Sequence, residues 1–308
     1  MKIKIILALA LVSVKLQAQE NPIKITVTPN SDKSVDFKYD KQTPGSYYVQ
    51  VTLKNPSNAS DGPVFDETID GIQGNLFTLK PQDPQRPIGF SYTYRSAKGV
   101  YRPKLKTDFL YIFPYTKKTK FRAIESGFVG SKYLGQTTPA DWKAYAFVTN
   151  KEDSIVACRK GLVTEVKDLY KTEGKAGLVS YTSHLNAIYI EHADGSIARY
   201  LGFKHGSIAV KPGQVVYPGT FLGMNSNITD VRRYSFSLML MYIKRPFGET
   251  GDDGKELNVY GYIDPVFYDP KLGNIKLISG TEYTADTNEG IYKKELSKKE
   301  LKLFGLSK

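Results

Sequence analysis

NAIYIEHADGSIARYLGFKHGSIAVKPGQVVYPGTFLGMNSNITDVRRYSFSLMLM occupies residues 186–241, and its punctuation decides the fold. Ile188 and Ile190 alternate with Tyr189 and Glu191, the pattern of a strand with one buried face. Asp194-Gly195 is a two-residue hairpin signal, and Ile197 to Leu201 supplies the returning strand. Pro212-Gly213 and Pro218-Gly219 each set proline and glycine at the second and third positions of a type II turn. Turns six residues apart leave room only for very short strands, so the stretch predicts a small, strongly coiled β-structure of the barrel or sandwich kind.

Upstream, residues 23–121 read as a string of strands at Ile23 to Thr28, Ser34 to Tyr39, Tyr47 to Leu53, Leu76 to Leu79, Gly89 to Tyr94 and Leu110 to Phe113. Pro44-Gly45, Asn55-Pro56, Asp61-Gly62 and the proline-rich run from Pro81 to Pro87 punctuate them at sandwich-like intervals. An immunoglobulin-like β-sandwich is the architecture that spacing predicts. It contains no histidine, and its acidic residues lack metal-ligand spacing. Asn58-Ala59-Ser60 fits the glycosylation sequon, a short pattern that carries little weight.

The first residues define the compartment. Lys2 and Lys4 precede an apolar run from Ile5 to Val14, and Leu16-Gln17-Ala18 forms a cleavage site before Gln19, so residues 1–18 are read as a signal peptide. The run is too short to span a bilayer and no cysteine follows it for lipidation, which implies an exported, periplasmic or secreted chain without a transmembrane segment. The formal charge of +12 falls to +9 when Lys2, Lys4 and Lys15 leave with the leader. Such a chain is attracted to anionic envelope polymers. Export argues against nucleic acid as a partner, and the 22 tyrosines and 15 phenylalanines are read as core and cross-strand pairs. A single cysteine, Cys158, excludes an intramolecular disulfide framework and, within Ile155-Val156-Ala157-Cys158, reads as a small buried residue.

Residues 186–241, with a weaker match at 143–166, resemble the zinc peptidase domain of the LytM and lysostaphin family, which cleaves peptidoglycan cross-bridges. The resemblance is carried by the hairpin from Asn186 to His192, by Val210, Gly213, Val216, Gly219, Leu222 and Gly223 in the family's valine-glycine run, and by Ile155 to Val163 entering a glycine turn. Together with the upstream strands it gives an expected all-β chain, an immunoglobulin-like β-sandwich followed by a LytM/lysostaphin-like β-barrel-sandwich. The implied divisions are 1–18 signal peptide, 20–118 sandwich, 119–275 peptidase-fold domain and 276–308 lysine-rich tail. The family's metal-binding and proton-handling positions fall on other residue types here. Its final His-x-His falls on Ser235-Phe236-Ser237, the histidine of its Tyr-x-His element on Gly202, and its aspartate on Phe147 or Val148, depending on the register chosen. No histidine precedes His184, so the first ligand has no counterpart.

A zinc hydrolase needs three protein ligands, an open position for water and a base. Neutral serine hydroxyls do not supply them, so the expected protein is a pseudopeptidase without catalytic residues, metal or cofactor. Its inherited groove, at Gly202, Ser235, Ser237 and Phe147 or Val148, is expected to bind peptidoglycan or an envelope protein. Degenerate LytM-type domains that activate cell-wall amidases are the family's precedent for the protein-binding version. The alternative is an active zinc endopeptidase using displaced ligands among His184, His192 and His205, which show no metal spacing. Biotinyl and lipoyl carriers share the valine-glycine grammar, but Leu238-Met239-Leu240-Met241 lacks the acceptor lysine between its methionines. Gly251-Asp252-Asp253-Gly254 lacks the ligand alternation of a calcium loop. Residues 291–308, IYKKELSKKELKLFGLSK, are expected to form a short helix packed on the body in preference to an interfacial anchor.

Overall fold

The computed structural model describes residues 22–128, 130–131, 135, 137–171, 184–230 and 233–306, with the backbone alone at 228–230. The expected leader, 1–18, lies outside the described residues. Six strands build the first unit: β1 (Ile23–Pro29), β2 (Val35–Lys41), β3 (Tyr47–Ser57), β4 (Val64–Ile69), β5 (Gln73–Leu79) and β6 (Gly89–Lys98). They pair antiparallel as two sheets, β1-β2-β5 and β4-β3-β6. Placing the second and fifth strands in one sheet and the third and sixth in the other gives the immunoglobulin-like sandwich. The period of two drives it: Val35, Phe37 and Tyr39 of β2 and Ile23 and Ile25 of β1 point inward to meet Val49, Val51 and Leu53 of β3.

Sequence reading missed β4. Asp66 and Glu67 interrupt its apolar pattern, and it is an edge strand, so Val64 stays 49% exposed and no continuous apolar face marks it. Strand β3, by contrast, is buried on both faces from Tyr47 to Val51. Its second face docks on the rest of the chain. Tyr48 stacks on Phe247 at 5.1 Å, the Gln50 amide donates to the Phe247 carbonyl, and the Ser46 amide and hydroxyl both donate to the Glu191 carboxylate at 2.6 Å.

Fifteen further strands follow: β7 (Leu110–Tyr111), β8 (Lys120–Glu125), β9 (Tyr145–Thr149), β10 (Ser154–Val156), β11 (Gly161–Lys167), β12 (Asn186–Glu191), β13 (Ile197–Phe203), β14 (Val215–Val216), β15 (Phe221–Met224), β16 (Ser226–Asp230), β17 (Arg233–Ile243), β18 (Tyr260–Ile263), β19 (Val266–Asp269), β20 (Gly273–Ile275) and β21 (Glu282–Thr284). The large sheet runs β14-β11-β12-β13-β17-β9-β8-β21, with β16 and β18 also on β17; β10-β15 and β20-β19-β7 form small sheets. Both proline-glycine turns form as expected. Gln214 N–H donates to Lys211 and Thr220 N–H to Tyr217 across them, with φ of +87° at Gly213 and +84° at Gly219, and only the two-residue β14 fits between. The Asp194 hairpin is one residue longer than expected. Its ladder closes from His192 N–H to Ser196 O, and Gly195 at φ +80° ends a turn begun at His192.

Stacked aromatic rings fill the core behind the large sheet. Phe147 lies on Phe236 at 5.3 Å, and Phe121 meets both Phe113 and Phe147. Burying each such ring contributes about 2–3 kcal/mol. Phe109, Tyr111, Phe113 and Tyr115 from before residue 119, and Leu277, Tyr283 and Ala285 from after 275, lie in this same core. Cys158 is buried there too, its thiol pushed up to about 12 by burial, which leaves it inert.

The C-terminal segment forms two short helices, α1 (Glu289–Lys293) and α2 (Lys298–Leu303), the latter opened by a Ser297–Glu300 capping box. They are anchored through a buried guanidinium. Arg159, wholly buried, donates to both oxygens of Glu295 at 2.6 and 3.0 Å, to Asp194 at 2.9 Å and to Tyr111, with Phe109 beneath it. Burial alone would raise the Asp194 carboxyl, but hydrogen bonds from Ser196 and the Arg159 charge outweigh it and hold the group at about 2. Lys160 adds a 2.8 Å bond to Glu300, which also accepts from the Tyr217 hydroxyl. Among the described residues no helix is long and apolar enough to cross a membrane.

Candidate functional site

Strand β17 carries two faces set by its alternation. Phe236, Leu238 and Leu240 point into the core, while Ser235, Ser237 and Met239 are half-buried on the other side. Antiparallel pairing then brings neighbours into rows. Ser235 lies opposite Val148 of β9 and Ser226 of β16, Ser237 opposite Ala146 of β9 and Leu201 of β13, and Met239 opposite Arg199. One row further on, Tyr262 of β18 pairs with Met241 and packs against Trp142 at 4.6 Å, which closes that edge.

Ser235, Ser237 and Val148 are therefore together on one face. Phe147 is not: its side chain is on the opposite side of the sheet, fully buried between Phe121 and Phe236. Of the two residues left open by the sequence, Val148 shares the face of Ser235 and Phe147 does not, because adjacent residues of a strand point to opposite faces.

Gly202 is beside these residues, in a conformation set by the backbone. It is the extra residue of a bulge, where Asn186 pairs with Phe203 and the next pair is Ala187 with Leu201. Its φ is +110°, and a Cβ there would meet the Phe236 Cα at 3.3 Å and the Ser235 carbonyl at 3.4 Å. Its own carbonyl accepts from the Ser226 hydroxyl at 2.9 Å. The position supports the backbone, and a bulky substitution would strain it whatever the ligand. Gly202→Ala is expected to cost about 1–3 kcal/mol in urea unfolding; an unchanged midpoint would show that the bulge relaxes freely.

The three histidines occupy separate surroundings. His192 is in the hairpin turn, buried, with Nδ1 bonded to the Lys160 carbonyl at 2.8 Å and Nε2 without a partner. His205 is exposed and 3.1 Å from Asp168, whose carboxylate also accepts from Gly206 N–H, and His184 packs edge-on against Tyr170. Asp141 pairs with Lys244 at 2.8 Å, and Asp153 holds the Asn225 side chain through its amide. Among the described residues no group of three or more His, Cys, Asp or Glu is placed to hold a metal ion. A zinc ion of the kind the resemblance implies needs nitrogen, thiolate or carboxylate donors. Ser235, Ser237, Val148 and Gly202 offer two neutral hydroxyls, so the residues present do not fit that metal.

Sequence reading singled out the serines and passed over Arg199, which stands on the same face one row from Ser237. Its outward direction was legible from the alternation with Ala198 and Tyr200, both buried. What surrounds it was not.

No family model matches the chain, and no curated protein matches it. Solved structures similar to it include two M23 peptidases and a Helicobacter protein. Pseudoalterin, described as an M23 metalloprotease from the deep sea, aligns at 13% identity over 60% of this chain and 89% of its own, with a TM-score of 0.31. An M23 peptidase of Pseudomonas aeruginosa aligns at 12% identity over 63% and 82%, with a TM-score of 0.29. Helicobacter pylori Csd3 aligns at 11% identity over 78% and 74%, with a TM-score of 0.28.

Proposed function

We propose that the protein is exported and serves as a non-catalytic, LytM-like binding module of the cell envelope, holding peptidoglycan or an envelope protein on the face of β17 that carries Ser235, Ser237 and Val148. The observation that carries this reading is the register itself. It brings Ser235, Ser237 and Val148, which the sequence resemblance aligns with family ligand positions, side by side on one half-buried face, and their side chains are small or apolar. Small side chains along a strand leave the backbone approachable by an extended chain. The net charge of +9 left after loss of the leader's Lys2, Lys4 and Lys15 adds a long-range attraction to anionic polymer that salt screens.

Ser235→Trp and Ser237→Trp test the reading without touching the core face. Each is expected to weaken binding to cell-wall sacculi or envelope fractions in high salt by tenfold or more, about 1.4 kcal/mol, while the fold persists. Unchanged binding would remove this face from consideration. The same purified protein, loaded with zinc and dialysed, is expected to retain far less than one equivalent. Stoichiometric zinc, or chelator-sensitive release of cross-bridge fragments, would overturn the non-catalytic reading in favour of displaced ligands around His184, His192 or His205.

A further inference from the structure

The arginines divide by their partners. Among the described residues three are not exposed: Arg159, Arg199 and Arg245. Arg159 meets Asp194 and Glu295, and Arg245 meets Glu249 at 2.9 Å. Arg199 meets no carboxylate among the described residues, and its Nε is buried without a hydrogen-bond partner. Its guanidinium lies 5.5 Å from the centre of the Tyr189 ring, which provides no acceptor in the ring plane for the buried Nε–H. A buried guanidinium Nε–H without an acceptor among the described residues is a costly arrangement, and a bound anion relieves it.

The charge around it points the same way. The carboxylate on the neighbouring outward positions is Glu165, two strands across, and it is already held by Lys98 at 3.0 Å and Lys167 at 3.1 Å. Arg199 stands opposite Met239 and one row from Ser237, so an extended chain lying along Ser235 and Ser237 would bring its next group over the guanidinium. Carboxylate matches the planar fork of arginine bidentately and fixes orientation as well as affinity.

We infer that Arg199 is the specificity-determining residue of this face and that it receives a carboxylate of an extended peptide ligand. The inference rests on the reading of the β17 face as a binding surface and adds the chemical class of what is bound. It distinguishes carboxylate-bearing peptide from neutral glycan, whose hydroxyls and acetamido carbonyls accept hydrogen bonds without the charge and bidentate fit of a carboxylate.

The test uses the full mature chain and muramidase-released peptidoglycan fragments, in native form and after carbodiimide amidation of their carboxylates, titrated at high salt. Amidation leaves the protein untouched and is expected to weaken binding roughly ten- to hundredfold. Arg199→Gln is expected to weaken binding of the native fragments by a similar factor and to leave the amidated fragments unaffected, with Arg199→Lys in between. If native and amidated fragments bind equally well to the unaltered protein, the inference is overturned while the binding reading stands. Equal losses in Arg199→Gln for both ligands would also overturn it, by assigning the residue a structural role. If neither fragment binds the unaltered protein, the reading of the face as a peptidoglycan site fails, and the inference with it.

Discussion

Glu295→Ala is expected to destabilise the protein by about 3 kcal/mol, seen as a melting temperature lower by roughly 10 °C. Arg159 is wholly buried and Glu295 gives it two of its hydrogen bonds, so truncation leaves a guanidinium in a site that water barely reaches. Asp194 and Tyr111 remain as partners, which keeps the loss near the lower end for a broken buried pair. Arg159→Met is expected to be comparably damaging because Asp194 and Glu295 then lose their cation. The double variant Arg159→Met/Glu295→Met is expected to lose clearly less than the two single variants together, by at least 1 kcal/mol. Additive losses, or a melting temperature unchanged by Glu295→Ala, would show that the tail is not held through this contact.

Acid sensitivity is the second large effect. Burial, helped by the nearby Arg159 charge, pulls the His192 imidazole down to about 4, below its ordinary 6.5. In the folded chain the ring stays neutral down to that value, whereas in the unfolded chain it takes a proton below 6.5. The unfolded state therefore binds more protons between pH 6.5 and 4, and stability falls as pH falls through that window. The loss attributable to this ring is on the order of 3 kcal/mol, complete once the pH is below about 4. His192→Gln, which retains a donor toward the Lys160 carbonyl, is expected to be less stable at pH 7.5 but to lose less than the unaltered protein between pH 6.5 and 4. Urea unfolding at several pH values measures the difference; parallel curves for the two proteins would show that the ring titrates as it does in solvent.

The contribution of His192 was only half visible in its sequence. The sequence put it at the hairpin turn without metal-ligand spacing, and the turn is where it stands. The depth of its burial came from elsewhere in the chain, from Arg159, Tyr111 and the returning tail, none of which is adjacent to it in sequence. Tail packing was legible in outline as a short helix on the body. Its anchor was not, because a lysine-rich stretch does not announce that one glutamate among the lysines reaches a buried arginine 136 residues away.

Local sequence determined the elements whose cause is local. Proline and glycine at adjacent turn positions fix φ, so the turns at Pro212-Gly213 and Pro218-Gly219 follow from four residues each, and the period-two burial of β1 and β2 follows from their own side chains. That positions 202, 235 and 237 hold glycine and serine, none a metal-binding residue type, was likewise written in the chain. Tertiary structure alone decided the rest. Whether Phe147 or Val148 faces Ser235 depends on strand register, a relation between segments some ninety residues apart, and a slip of one residue exchanges the faces. That Gly202 is locked in a bulge depends on Phe236 packing over it, and that Arg199 meets no carboxylate among the described residues depends on which strands lie beside it, with Glu165 two strands away paired to Lys98. A side chain's type and direction are properties of its own strand, but its partners are set by which other strands fold against it, and that is where the character of this face was decided.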